Sequence, residues 1–203
     1  MENKKPFENN IEFFSALLQR FPNKNFEALH FKSGESQVAR FIVLAQIANL
    51  EQASVLDYGC GLGDFGYFLE KMNQNKNYIG VDISADMVQA AKSKFPALRF
   101  KNITHDKMLD EIERPDYCIA SGVFNLRQED EELTLDYLLM NLRVLFEHSI
   151  VGVAFNFTTN NSGDNTFAVF DPVLILNEAK KLSPKVVLRE DYMMGDATIY
   201  IYK

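Results

Sequence analysis

Apolar residues recur at helical spacing twice in the first fifty positions. Ile11, Phe14, Leu17 and Leu18 form one stripe, and Val38, Phe41, Ile42, Ala45, Ile47 and Ala48 form a second after the polar stretch Ser33-Gly34-Glu35-Ser36. The pattern then changes at residues 54–69, SVLDYGCGLGDFGYFL: an apolar run ends in Asp57, glycine occupies positions 59, 61 and 63, and a helical pattern follows. That order predicts a strand, a tight turn and a helix N-terminus. The glycines permit backbone angles and a close ligand approach that a Cβ would block. Beyond the centre of the chain, residues 129–146 read as an amphipathic helix and 149–157 as a buried strand. Residues 158–165, TTNNSGDN, read as a polar loop, and a helix is predicted over 171–182 with Pro172 near its first turn.

The end of the chain carries topological information. Residues 185–192 and 198–202 both read as strands, and only Met193-Met194-Gly195-Asp196-Ala197 separates them. Antiparallel neighbours can share so short a hairpin, whereas parallel ones need a crossover of about a dozen residues or more. An antiparallel last strand is therefore expected.

Gly61-Leu62-Gly63-Asp64-Phe65-Gly66 spells the dinucleotide fingerprint G-x-G-x-x-G, with Asp82 following at the expected distance. A pyrophosphate binds where a helix N-terminus and free N–H groups supply positive potential. Here Asp57 closes the strand and Asp64 opens the helix, an arrangement that suits a cationic or zwitterionic ligand better than a polyanion.

The block Val55-Leu56-Asp57-Tyr58-Gly59-Cys60-Gly61-Leu62-Gly63 resembles motif I of the class I S-adenosylmethionine-dependent methyltransferases. Tyr78-Ile79-Gly80-Val81-Asp82-Ile83-Ser84 is similar to that family's second strand, 98–106 to its third strand and loop, and 117–125 to its fourth strand. The resemblance implies a Rossmann-like three-layer α/β/α sandwich. It would hold a mostly parallel seven-stranded sheet, an antiparallel last strand in a C-terminal β-hairpin, and an N-terminal helical cap. It implies methyl transfer from S-adenosylmethionine by in-line displacement, leaving S-adenosylhomocysteine. Asp57, Gly59, Cys60, Gly61 and Gly63 would then form the cofactor turn, and Asp82 would take the ribose hydroxyls. Ile83 would lie by the adenine ring, with Met87 either beside it or packed in the core; Thr104, His105 and Asp106 would lie in the third loop, and Ser121 and Gly122 at the fourth strand end. Arg40 on the prelude helix would clamp the cofactor carboxylate or form a surface salt bridge.

Composition bounds the alternatives. With 203 residues, 47% of them apolar, the chain suits one domain, with residues 1–50 as helical prelude and 51–203 as core. No signal peptide or membrane-length apolar run is legible, so a cytoplasmic location is expected. The net charge of −7 disfavours nucleic acid as partner. Cys60 and Cys118 give neither a disulfide framework nor a zinc spacing, and His30, His105 and His148 are too scattered for a metal triad, so no metal is expected. The expected acceptor is a small molecule, with aromatics such as Phe13, Phe14, Phe31, Phe124 and Phe157 lining its pocket or filling the core.

No strong catalytic base stands out; Asn125, His105 and Asn156 are the candidates. The Asn-Pro-Pro-Tyr tetrapeptide of amino-group methylases is absent, since Ser121-Gly122-Val123-Phe124 takes its place. Two other function classes remain open at this level: a non-catalytic S-adenosylmethionine-binding module and an NAD-dependent oxidoreductase. Tyr67-Phe68-Leu69-Glu70-Lys71 contains the Tyr-x-x-x-Lys spacing of the latter, but on the helix after the glycine turn, away from any nicotinamide site.

Overall fold

The computed structural model describes residues 6–21, 28–29, 33–74, 77–103, 111–160, 163 and 165–203, without the side chains of 6–8. The helices α1 (Pro6–Arg20) and α2 (Gly34–Ala45) stand ahead of β1 (Ser54–Tyr58) among the described residues. Then come α3 (Asp64–Lys71), β2 (Asn77–Asp82), α4 (Ala85–Lys94), β3 (Phe100–Asn102) and β4 (Tyr117–Ala120). The chain closes with α5 (Glu131–His148), β5 (Gly152–Thr158), α6 (Pro172–Leu182), β6 (Val186–Arg189) and β7 (Asp196–Tyr202).

The seven strands form one sheet in the order β3-β2-β1-β4-β5-β7-β6. Pairings among β1 to β5 are parallel, while β7 runs antiparallel to both β5 and β6. The expected terminal hairpin is present, with its second strand slotted inside its first. Because a strand's side chains alternate between faces, the central strands feed two cores at once. Leu56, Cys118, Ala120, Val153, Phe155, Ile199 and Ile201 point to the side packed by Leu138 and Leu142 of α5 and Ile175 of α6. Val55, Ile119, Ala154 and Tyr200 point to the other, packed by Phe41 and Leu44 of α2, Phe65 of α3 and Val88 of α4. The result is the three-layer sandwich that the sequence led one to expect.

Local chemistry fixes the helix ends. Ser84, Asp130 and Asp171 each accept a backbone N–H as N-caps of α4, α5 and α6, and Ser33 and Ser36 form a reciprocal capping box on α2. At the other end of α2, the hydroxyls of Tyr200 and Tyr202 on β7 donate to the carbonyls of Val43, in the last turn, and Ile47, just beyond it. Arg114 does the same for α5, donating to the carbonyls of Glu147, His148 and Ser149.

Several boundaries differ from the sequence reading. The α2 stripe is not uniformly inward: Phe41, Val43 and Leu44 are buried, but Val38 and Ile42 are 43% and 46% exposed. The strand expected from 149 begins at Gly152, since Ser149 still bonds back to Leu145 at the end of α5. The strand expected over 185–192 stops at Arg189, which forms an ion pair with Asp191, while Tyr192 turns its hydroxyl toward Asp196.

The β5·β7 ladder leaves no room for a side chain at Gly152. A Cβ there would sit 2.5 Å from the Ile201 carbonyl oxygen, a backbone atom that cannot swing aside. Gly152→Ala is expected to destabilise the fold by about 2 kcal/mol, the range of an overpacked core, and urea unfolding would measure it.

Candidate functional site

All parallel strands end on the same side of the sheet, and the chain departs in opposite directions from β1 toward β2 and toward β4. Ligands of open α/β sheets bind at such a switch point. A cleft of about 260 Å³ opens there, lined by the glycine turn, the ends of β1 and β2, the 121–125 turn, α1, α2 and the 193–195 hairpin tip.

The turn is held from below. Gly59 and Cys60 donate their N–H groups to the Val81 carbonyl, both at 2.9 Å, docking the turn on β2. Gly59, Gly61 and Gly63 have φ of 70°, 51° and 80°, the left-handed region that strains any residue with a Cβ. A Cβ at Gly59 would stand 2.5 Å from Val123, so the approach of the turn to the β4 loop also requires glycine.

Asp82 closes β2 and joins that strand to the turn. Its Oδ2 accepts the Gly61 N–H at 2.9 Å and its Oδ1 the Ser84 N–H at 2.8 Å. Burial raises its carboxyl above the ordinary range, opposed by these N–H donors. Each oxygen keeps a lone pair for another donor. The N-cap of α4 is Ser84. Ile83 and Met87 line the same end of the cleft, and Met87 also packs, 1% exposed, with Ala28 and Leu62.

The acids flanking the turn are quieter than the sequence suggested. Asp57 is 1% exposed and accepts the Tyr78 hydroxyl at 2.6 Å. Burial, with smaller contributions from the charges of Asp82 and Asp64, pushes its carboxyl up to about 7 against the pull of the Tyr78 hydrogen bond. Asp64 pairs with Lys94 at 2.6 Å. The charge argument against a polyanion is thus weaker than the residues alone imply, and the reversed β7 is the firmer discriminator. Cys60 is buried, and burial drives its thiol well upward, so it is no nucleophile.

Arg40 lines the cleft, but its Nε and Nη2 both reach Asp196 Oδ2, at 2.7 and 2.6 Å; the pair is internal rather than a surface bridge. Ser121 and Gly122 border the cleft at the end of β4. Asn125 accepts the Thr158 N–H, and Asn156 links the Gly122 N–H to Asp196, so both amides brace backbone. Phe14 lines the cleft, whereas Phe124 and Phe157 are core residues with no exposure. Thr104, His105, Asp106, His30 and Phe31 lie outside the described residues. Among those that are described, no cluster of three metal-ligating side chains occurs, and no helix is long and apolar enough to cross a membrane.

The cleft also gathers residues that sequence reading passed over. Asn10 of α1 bonds to the Tyr137 hydroxyl and to Gln128, tying the first helix across the mouth to α5. Gln37 of α2 and Asn160, Met193 and Gly195 of the far rim complete the wall. Gln37 sits one turn before Arg40, so the helical period was a signal that could have found it.

A sheet of this order with β7 reversed, and a glycine turn latched to a strand-end acid, define the class I S-adenosylmethionine-dependent methyltransferases. A family profile described as a methyltransferase domain matches residues 49–187, and the chain belongs to that family. A Mycobacterium tuberculosis protein provisionally named a methyltransferase is 31% identical over 160 residues, covering 74% of this chain and 93% of its own. A trans-aconitate 2-methyltransferase of Afipia carboxidovorans is 35% identical over 79 residues, 38% of this chain and 30% of its own. Among solved structures, the DhpI–SAH complex superposes with a TM-score of 0.65 at 12% identity, covering 96% of this chain and 95% of the other, a likeness of fold. The protein is an S-adenosylmethionine-dependent methyltransferase, and the oxidoreductase alternative falls away.

The residues present fit the cofactor. Three glycines of the turn lie beside a carboxylate with spare lone pairs, and further polar groups line the cleft.

The position of Asp57 has a consequence for stability. Between its ordinary 3.8 and about 7 the folded chain holds a proton that the unfolded chain has lost. Stability therefore falls as pH rises through this window. Thermal melts from pH 4 to 8 should follow that slope, and Asp57→Asn, which cannot ionise, should flatten it.

Proposed function

We propose that the cleft holds S-adenosylmethionine with its ribose on Asp82, its adenine beside Ile83 and Met87, and its amino-acid end over Gly59, Cys60 and Gly61 near Asp57. The acceptor in this reading is a small molecule entering between α1 and the 193–195 rim. The observation that carries the reading is the Asp82 carboxylate, fixed by the Gly61 and Ser84 N–H groups at the floor of the cleft with acceptor capacity left over. A vicinal diol is the group that two such oxygens serve best. Ser121 and Gly122 bound the side toward the acceptor. On this reading the chain acts as one domain, with residues 1–50 as its cap.

Bound S-adenosylmethionine supplies a methyl group on a sulfonium, a leaving group already activated for in-line displacement. The protein then needs chiefly to position the acceptor and exclude water. Ile11 and Phe14 of α1, with Phe167, whose ring packs edge-on against Phe13 of the same helix, supply an apolar wall for both tasks. By the family pattern alone, Thr104, His105 and Asp106 would belong to the adenine side. The likeness to a trans-aconitate methyltransferase supports a small metabolite as acceptor, and the apolar wall offers part of it hydrophobic contact.

Calorimetric titration with S-adenosylhomocysteine tests the cofactor reading. The wild-type protein should bind it, with no heat from NADH. Asp82→Ala should weaken binding about a hundredfold, the loss of two charge-assisted hydrogen bonds at about 1.5 kcal/mol each. An unchanged affinity in that variant would remove Asp82 from the site.

A further inference from the structure

We infer that Asp196 is the positioning residue of the cleft, setting the orientation of the Asn156 amide and through it the Gly122 N–H at the edge of the transfer site. The inference goes beyond the proposed function, and rests on it only in taking the 121–122 turn as a wall of the cofactor site.

Because β7 is antiparallel, its first residue lies opposite Thr158, at the carboxyl end of the parallel strands, where the cleft is. The Asp196 side chain has no exposure, so its charge must be met by donors. Oδ2 takes the Nε and Nη2 of Arg40, at 2.7 and 2.6 Å. Oδ1 takes the Tyr192 hydroxyl and the Asn156 Nδ2, the latter at 3.2 Å. One carboxylate thus joins α2, β5 and the terminal hairpin.

Asn156 is also fully buried, and its other amide atom, Oδ1, accepts the Gly122 N–H at 2.8 Å. Rotating that amide by half a turn would set oxygen against the Asp196 carboxylate and NH₂ against the Gly122 N–H. Both contacts would be repulsive, so the charge at 196 decides which way the amide faces. Gly122 itself has φ of 72°, so the turn it holds is one that only glycine adopts without strain. An ion pair that merely stabilised α2 would need Arg40 alone and would make no demand on Asn156. A neutral amide at 196 has a single acceptor oxygen for the Arg40, Tyr192 and Asn156 donors together, and its NH₂ must face one of them.

Amide hydrogen exchange at Gly122 in the ligand-free protein reads this linkage directly, with the Gly61 N–H, bonded to Asp82, as internal control. Asp196→Asn and Asn156→Ala should each speed Gly122 exchange about tenfold while Gly61 keeps its wild-type rate, and the double variant should be no faster than the faster single. Asn156→Ala alone carries the first half of the test should Asp196→Asn fail to fold, and Tyr192→Phe then probes the same Oδ1 from its other donor. Wild-type exchange at Gly122 in folded Asp196→Asn, equal acceleration at Gly61, or multiplied effects in the double would each overturn the inference. S-adenosylhomocysteine affinity separates the two claims. About tenfold weaker binding in both single variants supports linkage and cofactor wall together. Released Gly122 with unchanged affinity would keep the linkage and refute the wall.

Discussion

The pairing of β7 between β5 and β6 is the constraint on which the rest of the molecule depends. It is the longest ladder in the sheet, running from Gly152 opposite Tyr202 to Thr158 opposite Asp196. Six of the seven β7 residues are buried, so the last strand is central in the fold although it is last in the sequence. Its tyrosines close the carbonyl end of α2, its aliphatic residues complete the core under α5 and α6, and its first residue arrives at the cleft. Had the final strand been parallel, a crossover would have been needed, and an aspartate at its start would lie at the opposite, amino-terminal end of the neighbouring strands.

Three carboxylates converge on the carboxyl ends of these strands, and their surroundings give each a different task. Asp57 is desolvated and meets one hydroxyl, so it holds a proton near neutrality and acts as a packed, weakly charged group under the turn. Asp82 is held by backbone N–H donors and retains the capacity to accept more. Asp196 is buried against a guanidinium and two neutral donors, which use both of its oxygens. Burial raises the carboxyls of Asp57 and Asp82, and the hydrogen-bond donors around each oppose the rise.

Much of this was legible in the residues. The glycine turn, Asp82 and the reversed last strand follow from short-range patterns whose physical causes are local: positive φ, a strand-end acid, and a loop too short for a crossover. The hidden part is long-range. Arg40 and Asp196 are 156 positions apart and Asn10 and Tyr137 are 127 apart, and no periodicity connects such partners. Asp196 read as a hairpin residue because it falls between the two expected strands; its burial depends on β7 being enclosed on both sides. The same limit applies to Asp57 and Asp64, whose charges stand out in sequence while Tyr78 and Lys94, which temper them, do not.

The central claim is that this cleft is built around the ribose and amino-acid ends of S-adenosylmethionine. A crystal structure of the protein with S-adenosylhomocysteine tests it most directly. The account predicts electron density with both ribose hydroxyls within hydrogen-bond distance of Asp82 and the amino-acid portion against Gly59 and Gly61. Density elsewhere in the fold, or in the cleft with the ribose away from Asp82, would contradict it.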